Sequence, residues 1–213
     1  MSFKILHPQI PTELLNLDIL KEDISDEFSM SAAIVENCTL EDYKAEHVEF
    51  NQMIFKDVEF KNISFEYIEL TDVRFINCDL TNVNFTGGII HRTEFINCRI
   101  MGINLSEATL RNVLFEKCNG RYASFDFSNL KQISFNECNL NNSGFTECIF
   151  SKVGFNSTNL IQSQFVGTKL NGIDFTSCDI EGIIVKTEDL YGAIVTPAQA
   201  LSLSSLLGIK IKE

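Results

Sequence analysis

Hydrophobic residues recur every five positions along most of this chain. Between Val35 and Val195 the residue numbers divisible by five give 33 positions; 32 are apolar, 25 are Phe or Leu, and Gly120 is the exception. Fifteen of the 18 Phe residues lie on this register, the others being Phe3, Phe28 and Phe127. A second inward register lies two residues earlier, at Cys38, Val48, Val58, Ile63, Val73, Cys78 and onward, and holds Ala, Cys, Val, Ile, Ser and Thr almost throughout. The other three positions are mostly polar, as in Ile76-Asn77-Cys78-Asp79-Leu80 followed by Thr81-Asn82-Val83-Asn84-Phe85. The 3.6-residue helical period fits this badly, and an alternating strand fits only three residues before a corner resets it.

The pattern predicts a coil of very short strands joined by corners. Each five-residue unit makes one wall, four walls close a turn of about 20 residues, and turns stack through parallel β hydrogen bonds. The interior of such a solenoid is its own core. Position by position, the stacking predicts an aromatic column of Phe55, Phe75, Phe95, Phe115, Phe135, Phe155 and Phe175. All seven Cys residues sit in the small inward register, at 38, 78, 98, 118, 138, 148 and 178. Side chains pointing inward from parallel strands seldom present the torsion a disulfide needs. They read as thiols used as small fillers, which suits a reducing, cytoplasmic setting.

Composition narrows the function. Lys and Arg total 17 against 29 Asp and Glu, a net charge of −12, and such a chain does not hold nucleic acid by neutralising phosphates. No apolar run approaches the roughly 18 residues of a membrane span, and the N-terminal segment lacks the core and cleavage site of a secretion signal. His7, His47 and His91 are far apart, no CxxC or HExxH spacing occurs, and no GxSxG or Walker pattern is present. Gly87-Gly88 reads as easing a corner. The expectation is a protein without catalysis, cofactor or metal.

The repeat is similar to that of the pentapeptide-repeat family, whose unit is A(D/N)LXX with Leu or Phe at its centre. The likeness covers about residues 35–195. Within that family the chain most resembles Qnr-type proteins, on its size, its Phe-rich centre, the block Tyr122-Ala123-Ser124-Phe125, and the tail Val195-Thr196-Pro197-Ala198-Gln199-Ala200 with the Leu-rich stretch after it. That resemblance implies an all-β, right-handed quadrilateral parallel β-helix of about eight coils with a short C-terminal α-helix. It implies a homodimer formed through the C-terminal segment, and a non-catalytic protein that engages DNA gyrase or topoisomerase IV and protects them from quinolones. The register gains and loses no residue from 35 to 195, so the coil-interrupting loops of Gram-negative Qnr proteins have no counterpart here. The alternative is a pentapeptide-repeat scaffold for some other protein partner, unrelated to topoisomerases.

Three segments follow from this reading. Residues 1–34 form an N-terminal cap over the first turn, with apolar Leu14, Leu15, Leu17, Ile19 and Leu20 and acidic Glu22, Asp23, Asp26 and Glu27. Residues 35–195 form the solenoid. Residues 196–213 form a capping and dimerisation segment: Thr196 as N-cap, Pro197 at the first helical position, a helix over 197–207 and Gly208 as its stop. Ala200, Leu201, Leu203, Leu206, Leu207 and Ile209 are the candidate dimer contacts, because they occupy more than the one stripe a simple cap needs. Ile209 and Ile211, alternating with Lys210 and Lys212, predict a last strand.

Charge is uneven along the coil. Residues 1–79 carry 17 acids and 6 bases, residues 80–169 carry 6 and 8, and residues 170–213 carry 6 and 3. The stacking predicts like-charge pairs at Glu49 over Glu69 and Glu59 over Asp79, on two adjacent walls, and at Glu46 over Glu66. Charges stacked at about 5 Å work against stability, so these six are the candidate acidic partner-binding residues. Eight turns make a rod of roughly 40 Å. Two rods joined tail to tail would have acidic arms and a nearly neutral middle, a diluted imitation of DNA. Outward Ile76 and Ile96, and Tyr122 with Phe127, are further candidate contacts.

Overall fold

The computed structural model describes residues 3–16 and 23–209, and the chain forms a four-walled β-solenoid with a short C-terminal α-helix. The walls follow one another as Glu49–Asn51 (wall A), Ile54–Lys56 (wall B), Glu59–Lys61 (wall C) and Ser64–Glu66 (wall D). Each pairs in parallel with the wall twenty residues on, as in Glu49↔Glu69, Phe55↔Phe75 and Ala45↔Phe65. From residue 69 onward walls A and B merge into eight-residue strands, Glu69–Ile76, Ile89–Ile96, Thr109–Glu116, Asn129–Asn136 and Ile149–Asn156. Walls C and D shrink there to one bridge per coil, Asp79↔Arg99↔Asn119 on one and Asn84↔Asn104↔Ser124 on the other.

Residue choice at the corners accounts for this difference. The A–B corner is followed by Val73, Thr93, Val113, Ile133 and Val153, β-branched side chains that favour extended backbone. The corners around wall D are tight turns instead, closed by Val83 N–H donating to the Leu80 carbonyl (3.2 Å) and Gly88 N–H to Phe85 (3.1 Å). The corners are built on one residue in the left-handed region, Ser177 and Thr187 excepted. From Glu27 to Gln162 every fifth residue has positive φ, including Arg92, Lys117 and Phe127, and Gly167, Gly172, Gly182 and Gly192 continue the series.

The core is one continuous cluster inside the coil. The aromatic column stacks as the spacing predicts: Phe75–Phe95, Phe95–Phe115 and Phe115–Phe135 lie 4.9, 4.8 and 4.9 Å apart and within 9° of parallel. A second column, Phe125, Phe145 and Phe165, stacks at 4.9 and 5.1 Å. None of the seven Cys residues is in a disulfide. They do more than fill space. Cys78, Cys98, Cys118 and Cys138 each donate Sγ–H to the carbonyl of a column Phe in the preceding coil, at 3.2–3.4 Å. Thr158, the next residue in that column, makes the same bond to the Phe135 carbonyl at 3.1 Å. At these wide corners the small polar side chain adds a donor to a carbonyl that also takes part in the strand ladder. Burial pushes the Cys148 thiol up to about 11, so it stays protonated and able to donate.

The coil begins before residue 35. Ile24 lies in the core, Ser29–Ser31 pairs with Glu49–Asn51, and Ala33–Glu36 pairs with Ile54–Lys56. The boundary expected at 34/35 therefore moves toward the N-terminus, since the five-residue register still holds with Ser25 and Met30 in place of Phe and Leu. Leu15–Asn16 pair with Ala33 and Ile34. The segment before them lies along the flank of the solenoid and not over its end. It forms a strap across the A–B corner: Gln132 Nε2 donates to the Lys4 carbonyl (3.1 Å), Leu6 N–H to Asn112 Oδ1 (3.2 Å) and Gln9 N–H to Asp72 Oδ1 (2.8 Å), and His7 Nδ1 meets Glu94 Oε1 at 2.6 Å. Beneath the strap Arg92 pairs with Asp72 and Arg74 with Glu94. Leu17, Ile19, Leu20, Glu22, Lys210, Ile211 and Lys212 lie outside the described residues.

The stack loosens in one place. No backbone hydrogen bond joins Ile149–Asn156 to 169–176, although walls C and D stay bridged there at Asn159↔Asp179 and Gln164↔Ile184. Phe155 and Phe175 are correspondingly 5.9 Å apart and tilted by 20°. Below the gap, buried Asp189, in the 3-10 turn Thr187–Leu190, ties the lower coil to its successor. That carboxylate accepts from Gly167 N–H and Lys169 Nζ, both at 2.8 Å.

Candidate functional site

Four of the six predicted acids meet on one corner. Glu46 and Glu66 end wall D, Glu49 and Glu69 begin wall A, and the pairs are in register. The corner between them is His47 and Tyr67, whose rings stack at 5.3 Å and 16°. Below, the Tyr67 ring lies over Gly87, where a Cβ would sit 2.7 Å from it. The result is an exposed aromatic pair flanked on both sides by stacked carboxylates. Asp26 extends the Glu46/Glu66 column by one coil, its Oδ1 accepting the Glu46 N–H at 2.9 Å. Asp26 lies in the segment expected to form the cap, and its spacing of twenty from Glu46 is the signal that places it here.

Glu59 and Asp79 are in register, but on wall C, opposite wall A and not adjacent to it. A whole wall intervenes between residues 49 and 59. Asp79 is also occupied locally, accepting from Thr81 N–H and Oγ1 and pairing with Arg99 at 3.2 Å. It has the least to offer a partner. Ser29 Oγ reaches Glu49 and Thr39 Oγ1 reaches Glu59, both at 3.4 Å. Below Glu69 the column turns apolar and neutral, through Ile89, Thr109 and Asn129.

A second surface closes the other end. The α-helix α1 (Pro197–Leu203) continues as a 3-10 turn, Ser204–Leu207, and stops at Gly208 with φ 69°. Thr196 and Gln199 form a reciprocal capping box. The Gln199 amide nitrogen also donates to the Phe175 and Cys178 carbonyls, both at 2.8 Å, plugging the last coil. Leu203 packs against the core. Ala200, Leu201, Leu206, Leu207 and Ile209 face outward instead. Tyr191 (81% exposed), Ile184 and Ile194 add to the apolar surface of this end. Sequence reading missed these three, although apolar residues at outward positions of the closing coils were visible.

The remaining chemistry is structural. Buried Asp72, Glu94 and Asp189 are all engaged by cations. Among the described residues no group of three or more His, Cys, Asp or Glu could hold a metal ion, and no helix is long and apolar enough to cross a membrane. Ile76 and Ile96 pair in register and are half-buried. Tyr122 and Phe127 are exposed on successive corners, with the Arg121 guanidinium 5.4 Å from the Tyr122 ring.

Comparison with known sequences agrees with this fold. A pentapeptide repeat region matches at residues 68–145 and pentapeptide repeats (8 copies) at 133–176, and the SV2A/B/C luminal domain matches at 19–105. The chain is a pentapeptide-repeat protein. No curated protein matches it. Among solved structures it is similar to trypsin-treated QnrB1, a plasmid-mediated fluoroquinolone resistance protein, at 16% identity and a TM-score of 0.47, covering 94% of this chain and 100% of that one. It is also similar to HetL, a pentapeptide-repeat protein involved in heterocyst differentiation regulation in the cyanobacterium Nostoc sp. strain PCC 7120, at 13% identity and a TM-score of 0.45, covering 80% and 90%. A pentapeptide-repeat protein of the Arabidopsis thaliana thylakoid lumen matches at 16% identity and a TM-score of 0.31, covering 62% and 72%.

Proposed function

We propose that this protein is a non-catalytic binding protein that engages DNA gyrase or topoisomerase IV and relieves their inhibition by quinolones. The observation that carries it is the acidic corner, where Glu46, Glu66, Glu49 and Glu69 stack in register beside two exposed rings. Like charges held at strand spacing cost stability, and a basic groove built for DNA would repay that cost on contact. Two copies joined through the apolar C-terminal end would place one such corner near each tip of a rod of roughly 80–100 Å. The Qnr-like tail, Val195 to Ala200, supports the same reading. Contact is confined to the distal arms, because the acidic columns end below Glu69 and Asp79. The setting of that function is the cytoplasm.

The test is gyrase supercoiling in the presence of a quinolone. The protein is expected to restore supercoiling, and Glu46→Gln/Glu49→Gln/Glu66→Gln/Glu69→Gln together should abolish the rescue while leaving the melting temperature unchanged or higher. Absence of rescue at any concentration defeats the proposal. A second reading, a scaffold for an unrelated protein, is favoured by exposed Tyr122 and Phe127 near Arg121. It predicts that no type II topoisomerase is retained by the immobilised protein.

A further inference from the structure

We infer that the loosened corner between Ile149–Asn156 and 169–176 is a binding site for a small organic carboxylate with an apolar body. A groove of about 640 Å³ lies there, roofed by Phe3 and Leu6 of the strap and floored by Phe150, Val153 and Ile173. That volume is within the usual range for small-molecule sites, roughly 300–1,000 Å³. The floor is unusual for this molecule. Of the 15 Phe residues on the five-residue register, Phe150 is the one left only partly buried.

The rim fixes the sign of the ligand. Lys4, Lys152 and Lys169 line the groove and no carboxylate does. Lys169 is held by Asp189, while Lys4 and Lys152 have no carboxylate partner among the described residues. Glu147 and Asp174 line the two adjoining recesses. In a chain of net charge −12, two amines without a carboxylate partner, and a third shared with Asp189, around an apolar floor point to an anion. Amines are compact point charges that pair with a single anionic oxygen, and a singly charged carboxylate carried on an apolar body suits both the rim and the floor. The edge of Ile149–Asn156 that faces the lower coil makes no backbone bond to it and adds polar groups within the opening. Together these features describe an apolar slot with few polar contacts at one end, the usual form of a small-molecule site.

Octanoate is the probe, with octylammonium and octan-1-ol as controls, titrated into the full chain by calorimetry and by methyl-resolved NMR. Octanoate is expected to bind one per chain with a dissociation constant below about 1 mM and to shift the Val153 and Ile173 methyl signals. Lys4→Gln/Lys152→Gln should weaken it about tenfold or more, and octylammonium should leave those signals unmoved. No binding by octanoate, equal binding by octylammonium, or unchanged affinity in the double variant would overturn the inference. Should the variant melt differently from the parent, the identity of the shifted methyl signals in the parent decides.

Discussion

At the scale of single residues, two kinds of position hold the coil together. The first is the Phe column, where removing one ring leaves a void between two neighbours only 4.8–4.9 Å away. Phe115→Ala is expected to lower unfolding free energy by about 3–5 kcal/mol, read from urea denaturation. The second is the thiol that donates to a Phe carbonyl. Thr158 already performs this task, so Cys118→Thr should be nearly neutral. Cys118→Ala is expected to cost about 1 kcal/mol, since it removes the thiol's bond to the Phe95 carbonyl and leaves a small cavity beside it. The Cys register was legible in the sequence as a row of small inward residues. Its hydrogen-bonding role was not, because that depends on which corners are wide. The left-handed corner register was likewise only half legible: Asn, Asp and Gly recur there, but so do Arg92, Lys117 and Phe127, whose own preferences are overridden by the ladder on either side.

At the scale of elements, the two terminal segments behave differently. The strap is held by side chains of four successive coils, and Asp72 contributes to its pH response. Burial would raise that carboxyl, but Arg92 and the Gln9 N–H hold it below the ordinary Asp range. A carboxyl lowered on folding supports the folded state above its unfolded value, about 3.9, and loses that support as pH falls through the lower folded value. The protection factors of the Leu6 and Gln9 amides, with the intrinsic pH dependence of exchange divided out, should therefore hold from pH 7 to about 4 and fall only below that. Nothing in the period announced the strap, since its partners Asp72, Glu94, Asn112 and Gln132 occupy ordinary outward and corner positions. The C-terminal helix was legible from Thr196, Pro197 and Gly208, and Leu203 is the one of its apolar residues that faces the core. A test of dimerisation thus belongs on the outward set. Leu201→Asp with Leu207→Asp is expected to halve the mass measured by light scattering without lowering the melting temperature; an unchanged mass would refute the tail-to-tail dimer.

At the scale of the whole molecule, the coils form a one-dimensional stack in which each meets only its neighbours. Stability then varies along the axis, and the weakest junction is the one where two walls are unpaired. Hydrogen exchange should show residues 169–195 opening as a unit ahead of residues 50–140, and Asp189→Asn should widen that difference, because it removes the carboxylate that holds Gly167 and Lys169 to the following turn. The solenoid itself was readable from periodicity alone because an interior lined by two residues in five leaves no other way to bury them. The loosened junction was invisible for the complementary reason: residues 149–156 and 169–176 obey the same five-residue rule as every other coil.

The unbroken register has one more consequence. Because each five residues turn the chain through a quarter circle, the angular bearing of the acidic corner relative to the terminal leucines is written in the residue count between them. Insertion of twenty residues would lengthen the shaft by one storey and leave that bearing intact. Insertion of five would swing one end by ninety degrees, so that in a paired assembly the bearing of one acidic tip relative to the other would change.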